Sequence, residues 1–194
     1  NKTLEALAQT LFRQWFVEEA KDEWEKCDLG DLTKISSGKG LKRNEYVDDG
    51  EYPVLGANGE IGHTDHYNWD EKLIFTGRVG TLGNLFISNG KVWLSDNTLV
   101  ITPNQNKHFF FIYFLLKFAR LETFNVGSTQ PLIRQSDIKV INCNLPPDKK
   151  IQNFSNQTEV LFKKITHNRT QIQTLENIRI SLLPKLMCGE VKVQ

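Results

Sequence analysis

Apolar residues recur at alternating steps of three and four along the C-terminal part of the chain. An average step of about 3.5 residues is typical of a helix that packs lengthwise on another helix. Pro146 and Pro147 disfavour helix upstream, and Asp148 is predicted to be the N-cap. Pro184 is expected to interrupt the helix near its end. The predicted helix–helix seam comprises Ile151, Phe154, Thr158, Leu161, Ile165, Asn168, Ile172, Leu175 and Leu182.

A shorter amphipathic helix is predicted at the N-terminus, where Leu4, Leu11 and Trp15 share one face. The Thr-Leu-Glu and apolar pattern of residues 3–12 recurs in residues 174–183. Two interpretations stay open: chance similarity between amphipathic helices, or the end of one helix followed by a globular domain and an equivalent helix in full. The second predicts a segment of a duplicated protein. This second interpretation also predicts that the long seam pairs with a second copy of the chain, because the first helix is too short to cover it.

Between the helices the pattern changes to short runs of β-branched and aromatic residues, separated by Gly, Asn and Pro, which is typical of short strands. Asn89-Gly90 predicts a hairpin between the runs at 84–88 and 91–94. An apolar run within 107–121 predicts one inner helix. Strands are predicted at residues 29–35, 52–55, 72–75, 84–88, 91–94, 98–101 and 139–141.

These elements predict an α+β fold: a small, mixed, β-rich domain with an inner helix, flanked by a short N-terminal helix and a long C-terminal coiled-coil-type helix. The predicted boundaries are 1–22 for the end of a helix, 23–147 for the domain, and 148–194 for the long helix and its tail.

Composition narrows the class of protein. The chain has no apolar run long enough for a membrane span and no signal-peptide pattern. Cys27, Cys143 and Cys188 are scattered and lack C-x-x-C spacing, so the sequence favours neither a disulfide framework nor a zinc site. We therefore expect a cytoplasmic protein.

The net charge of +1 is uninformative, but charge is unevenly distributed. An acidic segment at 18–31 precedes a basic loop that contains Lys39, Lys42 and Arg43. This loop suits contact with nucleic-acid phosphate. An ordinary solvated loop has the same composition, and the sequence leaves both interpretations open.

Motifs for catalysis are not found in a usable arrangement. The glycines within 77–83 have the wrong spacing for a dinucleotide loop and precede a predicted strand. Residues 144–147 lack the Asn-Pro-Pro-aromatic order of an amino-methyltransferase. His63 and His66 resemble a metal pair, but no further ligand has suitable spacing, which favours a surface loop. We predict no catalytic residue, metal or cofactor in this chain.

Polar loops remain as candidates for DNA recognition. Arg bonds guanine through two hydrogen bonds, Asn and Gln bond adenine, and hydroxyl groups bond phosphate. Arg78, Gln130 and Arg134 are predicted to contact bases or a groove, although these loops also suit simple turns. The full set of predicted DNA-binding residues is Lys39, Lys42, Arg43, Asn58, Arg78, Ser128, Thr129, Gln130 and Arg134.

Short blocks in a fixed order resemble the specificity (S) subunits of type I restriction-modification enzymes, specifically the second half of such a subunit. The domain blocks are Leu29-Gly30-Asp31-Leu32, Tyr52-Pro53-Val54-Leu55-Gly56, Thr76-Gly77-Arg78-Val79-Gly80, Ser95-Asp96-Asn97-Thr98 and Gly127-Ser128-Thr129-Gln130-Pro131. The helix blocks are Leu4-Glu5, Trp15-Phe16-Val17, Leu145-Pro146-Pro147, Leu175-Glu176 and Leu182-Leu183-Pro184-Lys185-Leu186.

The resemblance implies a non-catalytic subunit with two target recognition domains, each of which reads one half of a split DNA target, separated by two antiparallel helices. It implies methyltransferase (modification) subunits that supply S-adenosylmethionine and catalysis, and a restriction/translocase subunit that uses ATP and magnesium. This chain departs from that pattern in having one recognition domain, so a second specificity half or a homodimer through the long helix is expected. The alternatives are a stand-alone methyltransferase or nuclease fragment, and a coiled-coil protein-interaction scaffold.

Overall fold

A computed structural model of the chain describes residues 1–80, 82–124 and 131–188. Within these residues the α-helices are α1 (Lys2–Arg13), α2 (Leu29–Leu32), α3 (Phe109–Phe118), α4 (Gln135–Lys139) and α5 (Asp148–Met187). The strands are β1 (Glu25–Asp28), β2 (Thr33–Ser37), β3 (Tyr52–Gly56), β4 (Gly59–Thr64), β5 (Trp69–Asp70), β6 (Leu73–Gly77), β7 (Leu85–Ser88), β8 (Lys91–Leu94), β9 (Thr98–Pro103) and β10 (Asn142–Leu145). The predicted α+β class, with an inner helix and a long C-terminal helix, is confirmed.

The strands form three sheets. One four-stranded sheet has the order β2-β9-β6-β7, the other has the order β4-β3-β8-β5, and β1 pairs with β10 alone. Most pairs are antiparallel, but β3 runs parallel to β8. The chain crosses between the two larger sheets at residues 95–97, which link β8 to β9. We call these residues the 95–97 turn.

The predicted hairpin at Asn89-Gly90 is wrong, although both of its strands exist. β7 pairs with β6, whereas β8 pairs with β3 and β5 in the other sheet. Gly90 adopts a φ of 93°, so the turn forms as its sequence favours. Burial decides the pairing: Val92 and Leu94 lie in a small core with Leu73, Phe75 and Val100, and pairing with β7 would remove them from it.

Three predicted boundaries also need correction. Residues 29–32 are helical rather than extended, because Asp31 accepts a hydrogen bond from the backbone amide of Asp28 and caps the turn. The strand predicted at 139–141 lies at Asn142–Leu145, and the residues before it form α4. Asp148 is the first helical residue rather than the N-cap, and its carboxylate binds Lys107 Nζ at 2.5 Å.

The main core lies between the domain and the helices that flank it. α3 is buried on nearly every side, as its continuous apolar run requires. Its Phe111 and Phe114 contact Phe12 of α1, and Phe114 also contacts Phe154 of α5. The domain and the two outer helices therefore share one core.

α1 packs against the first half of α5. The ring centroids of Phe12 and Phe154 lie 5.8 Å apart, and those of Phe16 and Phe154 lie 5.1 Å apart. Polar contacts hold both ends of the pair: Glu5 Oε1 binds Arg169 Nη2 at 3.2 Å, and Glu19 Oε2 binds Lys150 Nζ at 3.0 Å. The two helices are therefore antiparallel.

The predicted seam consequently divides into two halves. Ile151, Phe154, Thr158 and Ile165 are buried within the chain, and Leu161 and Asn168 are half-buried. The prediction that the long seam pairs with a second copy is therefore wrong for Ile151 and Ile165, which are buried within the chain. Ile172, Leu175 and Leu182 are exposed. We call residues 172–187 the distal half of α5. The helix continues through Pro184 to Met187.

Candidate nucleic-acid interface

The 95–97 turn is the point at which the candidate loops meet. Thr98 closes it, donating from both its amide and its hydroxyl to the carbonyl oxygen of Ser95, at 3.1 and 2.7 Å. The Ser95 amide donates to the carbonyl oxygen of Leu55 at 3.0 Å, which ties the turn to the end of β3. Asp96 and Asn97 are exposed. The turn is therefore a fixed platform with two polar side chains at its surface.

Lys39 is held against this turn through its backbone. Its amide donates to the carbonyl oxygen of Leu94 at 2.8 Å, and its own carbonyl accepts from Trp93 Nε1 at 2.8 Å. A Cβ atom at Gly38 would lie 2.1 Å from the Ser95 carbonyl oxygen, so only glycine allows this close approach. The Lys39 side chain is exposed. The sequence around it thus fixes the backbone of an exposed lysine at the turn.

Arg78 is attached to the other side of the turn. Its amide donates to the carbonyl oxygen of Asn97 at 2.8 Å, and its carbonyl accepts from the amide of Ile133 at 3.0 Å. Val79 bridges to Leu132 in antiparallel fashion. Arg78 is half-buried, and within the described residues its Nε has no hydrogen-bond partner. An unpaired, buried guanidinium nitrogen is unusual because its desolvation is unfavourable.

Asn58 lies beside the same group of loops. It is exposed at the turn between β3 and β4, and it lines a shallow cleft of about 410 Å³. Val79, Ser95 and Asn97 also line this cleft. Asn58 is therefore adjacent to the Arg78 segment, as a shared binding surface requires.

Arg134 is adjacent to the segment that pairs with Arg78. It precedes α4, and its backbone amide donates to Asp137 Oδ2 at 2.8 Å, so the capping carboxylate fixes its backbone. Its side chain is exposed. The structure therefore brings together four of the predicted residues, Lys39, Asn58, Arg78 and Arg134, around the 95–97 turn. We call these four residues the turn cluster.

Lys42 and Arg43 are placed differently. The Lys42 amide donates to Glu45 Oε2 at 2.9 Å, and the Glu45 carbonyl accepts from Thr64 Oγ1 at 2.7 Å. Thr64 ends the strand that starts beside Asn58, and a strand of this length extends roughly 16 Å at about 3.3 Å per residue. Lys42 and Arg43 are exposed, and the hydrogen bonds of this segment run to Glu45 and Thr64 rather than to the 95–97 turn.

Ser128, Thr129 and Gln130 lie outside the described residues. Reasoning from sequence did not select Asp96 and Asn97 as site residues. The signal was present, since Asp and Asn favour turns and these two residues interrupt two apolar runs. Their place at the centre of the cluster depends on which strands pair, and the sequence does not show that.

The described residues form neither a cluster suited to a metal ion nor a helix suited to cross a membrane. His63 Nε2 lies 3.7 Å from Glu60 Oε1, and in the part of the chain that the structure describes no three His, Cys, Asp or Glu side chains are grouped to hold a metal ion. None of the described helices has both the length and the apolar character needed to cross a membrane.

Comparison with known proteins identifies the class that this fold and site define. The family model described as "Type I restriction modification DNA specificity domain" matches residues 21–177. Because the match covers most of the chain, the chain belongs to this family of DNA specificity domains.

Among individual relatives, the type I restriction enzyme MjaIX specificity subunit of Methanocaldococcus jannaschii is 29% identical and aligns with 100% of this chain and 54% of its own length. The EcoDI specificity subunit of Escherichia coli is 26% identical over 87% of this chain and 39% of its own length. The chain thus spans about half the length of the curated relatives that it matches.

Solved structures share the fold. The S subunit of a type I restriction-modification system from M. genitalium superposes with a TM-score of 0.72 at 21% identity, covering 95% of this chain and 51% of that chain. The HsdS subunit from Thermoanaerobacter tengcongensis gives a TM-score of 0.60 at 15% identity, covering 98% and 52% of the two chains. The resemblance inferred from the sequence is confirmed.

Proposed function

We propose that this chain is the DNA-reading part of a type I restriction-modification enzyme and that its single recognition domain reads one half of a bipartite target. The observation that carries this proposal is the convergence of Lys39, Asn58, Arg78 and Arg134 on the 95–97 turn, within a family of DNA specificity domains. Cationic and amide side chains on a stiff backbone suit both phosphate positioning and base recognition.

The geometry suggests a division of roles within the turn cluster. Lys39 is a mobile point charge on a fixed backbone, which suits a phosphate contact. Arg78 has a buried Nε and a backbone fixed on both sides, which suits a directed contact to guanine. Asn58 and Arg134 lie to either side of it. Asp96 at the centre would repel phosphate and accept a hydrogen bond from a cytosine amino group.

We further propose that the chain is not an enzyme and that its partners carry the chemistry. Methyltransferase subunits would bind S-adenosylmethionine, and a restriction subunit would bind ATP and magnesium. The helices α1 and α5 are suited to dock such subunits, because they form a rigid pair that packs directly on the recognition domain.

The distal half of α5 is proposed to pair with a second specificity half, either another domain of a longer subunit or a second copy. Its apolar side chains are exposed, including Leu175 at 64% and Leu183 at 53%. Single exposed apolar residues are ordinary, but a continuous stripe along a helix marks an interaction site. α1 packs against α5 within the chain, so the exposed stripe at residues 172–187 is the surface proposed for a partner helix.

The proposed function is tested by DNA selection. The chain, assembled with its methyltransferase subunits, is incubated with a duplex library randomised over the target region, and bound duplexes are sequenced. We expect enrichment of one short half-site. Uniform binding of all sequences would contradict the proposal. To test whether catalysis resides on the partner subunits, the chain alone is assayed for methyl transfer from labelled S-adenosylmethionine. Turnover by the chain alone would contradict its non-catalytic role.

A further inference from the structure

Two cysteine residues face each other across the two-stranded sheet. Cys27 of β1 and Cys143 of β10 are direct partners in the antiparallel register, although they are 116 positions apart in sequence. Their Sγ atoms lie 3.2 Å apart. The scattered spacing of the cysteines hid this pair, because the sequence does not show that the first and last strands of the domain pair with each other.

The backbone geometry suits a disulfide. The Leu29 amide donates to the carbonyl oxygen of Ile141 at 2.9 Å, two residues along from the cysteine pair. Hydrogen-bonded and non-hydrogen-bonded pairs alternate in an antiparallel ladder, so Cys27 and Cys143 also form a hydrogen-bonded pair, with Cα atoms about 5.5 Å apart. Disulfides form when the Cα atoms are about 4.4–6.8 Å apart. To form the bond, the sulfur atoms must approach from 3.2 Å to about 2.05 Å, which requires a local shift of the two strands toward each other.

The surroundings determine how the thiols react. Cys143 is buried in the main core, whereas Cys27 is half-buried and packs against that core. Burial raises the pKa of both thiols, and for Cys27 the nearby Asp31 and Glu25 carboxylates raise it further. Both groups are therefore protonated near neutral pH, and an oxidant meets Cys27 first.

We propose that Cys27 and Cys143 are an oxidation site that forms a reversible disulfide by exchange with a small disulfide such as oxidised glutathione. The Cys27 thiol loses its proton, and its sulfur attacks one sulfur of the oxidant, whose S–S bond breaks and releases one thiolate. The Cys143 thiol then loses its proton and attacks Cys27 Sγ, which forms the protein disulfide and releases the second thiolate. Two cysteine thiols are oxidised, one small disulfide is reduced to two thiols, and the two protons pass to them.

The position of this disulfide gives it a structural consequence. β1 is the strand by which the chain enters the recognition domain after α1, and β10 is the strand by which it leaves toward α5. A bond between them closes a long loop that contains most of the domain, and the restriction on the unfolded chain grows with loop length. Oxidation would therefore stabilise the folded domain by a covalent bond at its junction with the two helices.

The test uses the full chain with Cys188→Ser, because Cys188 is exposed on the last turn of α5 and would form intermolecular products. The protein is equilibrated at pH 8.5 with oxidised glutathione, then alkylated and weighed. We expect loss of both free thiols, a mass decrease of two hydrogens and a peptide that joins Cys27 to Cys143. Dithiothreitol should restore both thiols. Retention of two thiols, a stable glutathione adduct or a disulfide-linked dimer would overturn the proposal.

Cys27→Ser in the same background is the matched control, because the half-buried serine leaves the core intact. This variant should keep Cys143 free or glutathionylated and never lose two hydrogens. The thermal midpoint is then compared between the oxidised and reduced forms of the Cys188→Ser chain. We expect the oxidised form to melt several degrees higher. An unchanged or lower midpoint would overturn the proposed stabilising role.

Discussion

The backbone amide of Ile133 donates a hydrogen bond to the carbonyl oxygen of Arg78 at 3.0 Å. On its other side, the Arg78 amide is bonded to the carbonyl oxygen of Asn97. Arg78 is therefore held between two loops that are distant in sequence. A side chain on so constrained a backbone loses less conformational entropy on binding, and its direction is better defined.

The first prediction concerns this arginine. In the assembled methyltransferase, Arg78→Ala should weaken binding of the preferred half-site by about 1–3 kcal/mol and relax the preference at one base pair. Arg43→Ala is the matched control, because Arg43 is exposed and lies outside the turn cluster. Arg43→Ala should weaken binding to all DNA sequences by the same factor. Binding is measured across a library of half-sites, and an unchanged preference with Arg78→Ala would remove it from the recognition surface.

The second prediction concerns Lys39. If its ammonium group contacts phosphate, Lys39→Ala should lower the slope of log affinity against log salt by about 1, without changing sequence preference. Lys34→Ala provides a control, since Lys34 is exposed on β2, outside the turn cluster. Fluorescence anisotropy at four salt concentrations measures both slopes. Equal slopes for the two variants and the unmodified chain would show that Lys39 faces away from DNA.

Local sequence patterns predicted where strands and helices lie better than they predicted which strands pair with each other. A short apolar run located the strand around Leu73–Gly77, and a longer one located α3, because both segments are buried along their whole length. The hairpin at Asn89-Gly90 failed for the opposite reason. The turn residues favour reversal of the chain, but which strand then lies alongside depends on side chains far away in the sequence.

The candidate site shows the same limit. Residue type alone selected Lys39, Asn58, Arg78 and Arg134, and the structure brings these four residues to one turn. Residue type also selected Lys42 and Arg43, which lie outside this cluster. Charge and hydrogen-bonding capacity are visible in a sequence. The distance between two loops is not, because it is set by sheet order.

The third prediction tests the shared core. Phe154 is fully buried and contacts the rings of Phe12, Phe16 and Phe114. Phe154→Ala should reduce the free energy of unfolding by about 3–5 kcal/mol, from lost burial and the cavity that remains. Leu175→Ala, on an exposed part of the same helix, should change it by less than about 0.5 kcal/mol in the monomer. Urea unfolding followed by circular dichroism gives both values, and a small effect at Phe154 would mean that α5 folds independently of the domain.

The fourth prediction concerns pH. His108 is buried where the domain meets α5, and burial lowers its pKa below the ordinary value of 6.5, although the Asp148 carboxylate, whose Oδ1 lies 3.7 Å from His108 Nε2, partly opposes this. Near and below pH 6.5 the unfolded chain therefore binds a proton that the folded chain does not, so stability falls as pH decreases. The stability lost between pH 7.5 and 5.5 should be smaller in His108→Gln.

The matched control for this pH effect is His66→Gln, which changes an exposed histidine and should keep the full loss of stability. Free energies of unfolding at both pH values come from urea titration. If His108→Gln and the unmodified chain lose the same stability on acidification, then His108 is not the group responsible.

The last prediction concerns the distal half of α5. Sequence periodicity predicts that the whole seam pairs with another helix, but Ile151 and Ile165 are buried within the chain, so a charge at either would disrupt the monomer itself. Ile172 and Leu175 are 50% and 64% exposed and share the seam face. They are the positions at which association can be weakened without damage to the core.

We expect the unmodified chain to associate at tens of micromolar, with the distal halves of two α5 helices packed antiparallel and the recognition domains at opposite ends. Ile172→Asp with Leu175→Asp should give a folded monomer, because two desolvated carboxylates oppose the apolar contact. Lys163→Asp with Lys164→Asp, at exposed positions outside the distal half, controls for added negative charge and should leave association unchanged. Light scattering gives the mass and circular dichroism the fold. A well-folded monomer for the unmodified chain would exclude a homodimer, and the distal half would then be left for a different specificity half.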